Sequence, residues 1–216
     1  MGGFFNMENG FFTTIGKIVD IIIISMIWSL LCIPIITIGP ATTALYYTVV
    51  KVIRRERGYL IREFFTAFKN NFKVGALSTI ILLFMYLILV FDLKWANNLE
   101  GTMAYILLSV FNSMIFLLTC VTIYLFPILS RFKISMKQLF KTSLFMSMKH
   151  LPSTILIAII IAVFALGTYI IMPLVFVAPA LCCLLVSLLF ERIFKKYMPA
   201  KSEDEEENTR DEWYLE

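Results

Sequence analysis

The residue types that usually carry chemistry are few in this chain, and their spacing does not bring them together. One histidine, His150, stands beside Lys149 and two residues before Pro152. General acid–base work needs a second positioned group, and the surrounding sequence supplies none, so His150 reads as a helix-boundary residue. The four cysteines, Cys32, Cys120, Cys182 and Cys183, lie in apolar runs without a C-x-x-C spacing. Neither a zinc site nor a disulfide framework is expected from them. Cys182 and Cys183 are adjacent, as in a vicinal redox pair, but free cysteine packs as a small hydrophobe and apolar fill is the plainer reading. No H-E-x-x-H, nucleophile elbow or Walker A sequence occurs. The expectation is a protein that is not an enzyme and holds no metal or cofactor.

Ion and proton carriers keep ionisable groups near the middle of the bilayer, where a costly charge persists only if it has a task. Here Asp20, Asp92, Lys94, Glu191 and Arg192 fall at the ends of apolar segments. That leaves Asn112, near Ser109 and Ser113, as the most polar group deep in one of them. It is read as an interhelical polar contact worth roughly 1 kcal/mol.

The elements that would position these residues follow from composition. Of 216 residues, 60% are hydrophobic and 16% charged, against ~25% charged in a soluble domain, and the mean hydropathy is +0.86. A soluble domain of this size has no core large enough for that apolar surface. A span needs roughly 20 apolar residues, and five segments qualify: about 18–38, 73–91, 103–126, 153–172 and 173–191. The predicted fold class is therefore all-α, a polytopic membrane protein with five transmembrane helices, and Met172-Pro173 is the expected turn between the last two. Of the 19 Lys and Arg, 17 fall on one side of such a fold. The positive-inside rule then puts the N-terminus outside and the C-terminus in the cytoplasm. Residues 1–17 read as an extracytoplasmic interfacial segment and 18–198 as the membrane domain. Residues 199–216 read as an acidic, disordered cytoplasmic tail: from 203 onward eight acids face one base, a charge of −7 against +11 for the rest.

Three cytoplasmic amphipathic helices are expected between the spans, at about 40–57, 61–72 and 133–149. The first opens at Gly39-Pro40, with Pro at a favoured first helical position, and ends in Lys51, Arg54, Arg55 and Arg57. The second carries Ile61, Phe64, Phe65, Phe68 and Phe72 on one face, with Arg62, Lys69 and Lys73 opposite. The third sets Met136, Leu139 and Phe140 against Lys133, Lys137 and Lys141. Such helices lie in the headgroup plane or dock a partner through their apolar anchors. The candidate partner-contact residues are Gly39, Pro40, Arg54, Arg55, Arg57, Phe64, Phe65, Phe68, Lys69, Lys137 and Lys141. Membrane lipids are expected partners, and nucleic acid is not. A faint repeat at an offset of 75 pairs Phe65, Ser78, Thr79 and Ile80 with Phe140, Ser153, Thr154 and Ile155.

Several blocks are familiar: Phe4-Phe5, Leu30-Leu31-Cys32-Ile33-Pro34, the run from Thr37 to Tyr47, the run from Phe64 to Phe72, and Phe126-Pro127-Ile128-Leu129-Ser130-Arg131-Phe132. Together they resemble the YesL family of bacterial integral membrane proteins, up to about Tyr197. That resemblance implies an association with carbohydrate uptake systems of the ATP-binding-cassette type. The expectation it gives is a non-catalytic accessory subunit that binds a permease or ATPase of such an importer. The alternatives are a small transporter or channel in its own right, and a scaffold or sensor partner of a signalling kinase.

Overall fold

The computed structural model describes residues 10–132 and 134–197. Lys133, residues 1–9 and the acidic tail lie outside the described residues, as do the expectations placed on them. Among the described residues there are seven α-helices: α1 (Gly10–Leu31), α2 (Ile38–Thr48), α3 (Leu60–Asn97), α4 (Thr102–Arg131), α5 (Met136–Lys149), α6 (Leu151–Ile170) and α7 (Ala178–Phe194). No strand occurs among the described residues. Five helical stretches are long and apolar enough to cross a membrane, which makes this the fold of a multi-pass membrane protein. They are Thr14–Leu31, Ile35–Arg54, Leu60–Asn97, Thr102–Arg131 and Leu151–Ile170.

The number matches the five spans expected, but the set differs. The stretch through α2 is included, whereas α7, with 17 residues, is shorter than the roughly 20 needed. The first span also breaks earlier than residue 38. Pro34 has no N–H to continue α1 and disfavours a helical Ile33 before it, so α1 stops at Leu31. Thr37 Oγ1 then lies within hydrogen-bond reach of the carbonyls of Leu31 and Pro34, at 2.5 and 2.6 Å, and the Pro34 carbonyl also accepts from the Thr37 N–H.

α1 and α2 form a hairpin that returns to the end from which it started. Trp28 Nε1 donates to Thr42 Oγ1 at 3.3 Å near the apex, and Lys17 pairs with Glu56 at 2.5 Å at the open end. The start of α1 therefore sits beside the α2–α3 loop, and the expected placement of the two on opposite sides is corrected. The same end, here termed basal, gathers Arg54 against the Ser187 carbonyl, Arg55 and Arg131 against Glu191, and His150 against Tyr197. Asp92, Lys94 and Glu100 lie towards the other end, at the α3–α4 turn.

α2 is not a surface amphipathic helix. Gly39, Pro40, Ala41, Thr43, Ala44, Leu45, Tyr46 and Thr48 are all buried. An added Cβ at Gly39 would lie 2.6 Å from both the Gly75 carbonyl oxygen and the Phe126 ring. Glycine is what allows α2 to lie against α3 and α4 at this separation. Gly39 also marks the depth of the hairpin, since it meets α3 near its middle. From Thr79 to Asn97, α3 runs on for about 27 Å at 1.5 Å per residue.

The 61–72 helix is the first part of α3, which continues unbroken for 38 residues. At about 57 Å it outruns the ~30 Å hydrocarbon layer. The corresponding stretch of the 75-residue repeat is broken: Phe140 lies in α5 and Ser153 in α6, separated at His150 by a non-helical backbone (φ −114°, ψ 42°). The two copies therefore differ in structure. The turn after α6 falls where expected, with Pro173 in a short 3-10 segment, Met172–Phe176.

Candidate functional site

Glu191 is the centre of a buried polar cluster. It stands in the last turn of α7, where the helix dipole disfavours a carboxylate. Arg131, in the last turn of α4, offsets this by a fork of two hydrogen bonds, Nε to Oε1 at 2.9 Å and Nη2 to Oε2. The side chains of Arg131 and Glu191 are 0% and 5% exposed. A third contact comes from the hydroxyl of Tyr46 on α2, which donates to Oε1 at 3.1 Å. Arg55 stands 3.6 Å from Oε2.

Local structure explains how residues from four elements converge. After Thr48 the helix widens into a π-turn, Val49–Arg54, a departure often found at functional positions. This turn delivers Arg54 to the Ser187 carbonyl at 3.2 Å and Arg55 to Glu191. The chain then reverses through Glu56, in left-handed backbone at φ 56°, and Gly58 at φ 87°. An ion pair with Lys17 holds the Glu56 carboxyl below its ordinary range.

Aromatic rings surround the carboxylate. Phe190 meets Tyr46 and Tyr124 edge-on at 5.9 and 4.9 Å and stacks on Phe194 at 5.4 Å, while Phe132 meets Phe194 at 5.8 Å. Their low dielectric strengthens the bidentate pair and makes it costly to break. A smaller basal group sits nearby, where His150 Nε2 lies 3.0 Å from Tyr197 OH and Lys149 lies over the Tyr197 ring. Burial, then Lys196 and Lys149, push the His150 pKa below its ordinary value.

Above Tyr46 and Phe190, away from the basal end, a cavity of about 650 Å³ opens between α4 and α6, with walls also from α1, α2, α3 and α7. The two helices touch near their basal ends, where Thr154 Oγ1 is 3.2 Å from Tyr124 OH. Farther along, Thr119, Thr122 and Phe126 face Ile161, Phe164 and Ala165 across the gap. Tyr46 belongs to both features: its ring lines the cavity and its hydroxyl holds Glu191.

The structure sorts the residues expected at a partner interface into three groups. Gly39, Pro40 and Phe64 are buried, so they pack the interior and are not contact residues. Arg54 and Arg55 are committed to Ser187 and Glu191. On the surface are Arg57, Lys69, Lys137 and Lys141, with Phe65 at 39% exposure and Phe68 half-buried against Phe64. Asn112 is exposed and donates to the Leu108 carbonyl of its own helix at 2.8 Å, so the interhelical contact expected of it is not made within this chain. The four cysteines are free. Among the described residues no group of His, Cys, Asp or Glu is arranged to hold a metal.

The Glu191 cluster escaped the sequence because both members of the ion pair stand where span-end charges normally meet water. A signal was nevertheless present: an acid in the last turn of a helix opposes the dipole and calls for a buried cation. No curated protein and no solved structure matches the chain. Residues 21–93, from α1 through most of α3, match the family model described as a protein of unknown function, DUF624, a family that includes the YesL proteins.

Proposed function

We propose that this protein is a non-catalytic accessory subunit in the bacterial cytoplasmic membrane, which binds and stabilises or regulates a carbohydrate importer of the ATP-binding-cassette type. The supporting observation is the outer face of α5. This helix has 14 residues, too few to cross a bilayer, and its start is fixed by a capping box between Ser135 and Gln138. It leaves Leu144, Phe145 and Met148 at 41%, 54% and 50% exposure, beside the exposed Lys137 and Lys141. With the basal end in the cytoplasm, as its bases favour, this apolar and basic face is directed at a partner's cytoplasmic loops. The sugar importer itself is implied by the resemblance to YesL proteins.

The cavity favours a second reading, a small transporter. Its wall is a poor match for sugars, because a sugar hydroxyl left unpaired there costs about 1–3 kcal/mol. Affinity capture of the full chain in nanodiscs, at native expression, distinguishes the readings. Recovery of an importer permease or ATPase, reduced by Phe145→Glu, is the expected result. Repeated recovery of the chain alone overturns the proposal, and recovery of a sensor kinase moves the function to signalling.

A further inference from the structure

We infer that the cavity between α4 and α6 is a binding site for the hydrocarbon chain of a bilayer lipid. Its size is the first reason. At ~30 Å³ of liquid volume each, about 20 water molecules would fill 650 Å³, and buried water needs 2–4 polar partners apiece. An empty space of that volume would instead forfeit dispersion contacts along its whole lining.

The hydrogen bonds of the wall decide what the occupant is. Thr119, Thr122 and Thr168 each donate to a carbonyl of their own helix, at 2.9, 2.8 and 2.8 Å. Tyr86 OH lies 3.1 Å from Thr119 Oγ1, and Trp28 Nε1 is spent on Thr42. Tyr46 is spent on Glu191. These donors are therefore committed inside the protein, and the polar groups of the lining leave little to a sugar or an ion. A methylene chain asks for no hydrogen bond and gains apolar contact from Phe126, Phe164 and Ile161. The cavity is partly open and lies among helices of the apolar bundle, so access is lateral. A transmembrane helix from a partner is about 10–12 Å across with its side chains and would have to pass the basal end. There the Tyr124–Thr154 contact holds α4 and α6 together.

Trp28 lines the cavity and reports on it once Trp95 and Trp213 are replaced by Phe. In nanodiscs of phosphatidylglycerol and phosphatidylethanolamine, brominated acyl chains are expected to quench Trp28. Ala165→Phe fills the cavity from α6 and is expected to reduce this quenching at least twofold. Ala162→Phe, exposed on the same helix and outside the lining, is expected to leave it unchanged. Native mass spectrometry of the same samples is expected to show one retained lipid per chain, lost only with Ala165→Phe. Equal quenching and equal lipid retention in all three proteins would overturn the inference. Weak quenching throughout, together with crosslinking of Cys182 to a second polypeptide, would overturn it in favour of a protein interface.

Discussion

Arg131 and Glu191 depend on each other because neither has water to fall back on. Removing one member of a buried pair strands the other charge, which costs about 3–5 kcal/mol, whereas replacing both by apolar residues is often neutral or better. Arg131→Met and Glu191→Leu are each expected to lower the melting temperature of the detergent-solubilised chain sharply, and the double variant to recover most of the loss. Fluorescence-detected size exclusion after heating measures this. Additive losses in the double variant would show that the two charges act separately. Tyr46→Phe removes one hydrogen bond to the same carboxylate and should cost only about 1–2 kcal/mol. At this scale the sequence was half legible. It placed Arg55 and Glu191 at helix ends, correctly, but spacing alone does not show that four elements bring those ends together out of water.

Among the elements, α2 is the one whose character changed most between sequence and structure. Its apolar stripe through Ala41, Ala44, Leu45, Thr48, Val49 and Ile53 is genuine, and a stripe of that kind equally suits a helix lying on a membrane. The distinction lies on the opposite face, where Thr43 and Tyr46 stand before any charge appears and are themselves buried. Small residues at Gly39, Ala41 and Ala44 bring backbones close, which is how helices associate where the hydrophobic effect gives no drive between them. Gly39→Ala tests this directly. Its Cβ would run into Thr79, Phe126 and the Gly75 carbonyl, and overpacking of this kind costs about 1–3 kcal/mol. A lowered melting temperature is expected, with only partial rescue by Thr79→Ala, because the Gly75 carbonyl is backbone and stays in place. Full stability of Gly39→Ala would mean that α2 does not sit in this groove.

Across the whole molecule, the α1–α2 hairpin alters how the chain meets the membrane. An apolar run was legible as such, but whether it crosses or turns back depends on Pro34 and on the Lys17–Glu56 pair, which joins residues 39 positions apart. With the hairpin closed, Lys17 joins the basal bases and leaves Lys94, among the described residues, at the other end. That distribution satisfies the positive-inside rule better than the five-span arrangement did. The consequence is measurable with single cysteines in a cysteine-free background, labelled on intact cells by a membrane-impermeant maleimide. Lys17→Cys and Glu56→Cys are expected to remain unlabelled until the membrane is opened, and Glu100→Cys, at the α3–α4 turn, to react at once. Lys17→Cys reacting on intact cells while Glu56→Cys does not would restore a crossing first helix. It would also separate α1 from the wall that Trp28 and Thr42 contribute to the cavity, so the orientation of this one hairpin bears on the closure of the site as well as on topology.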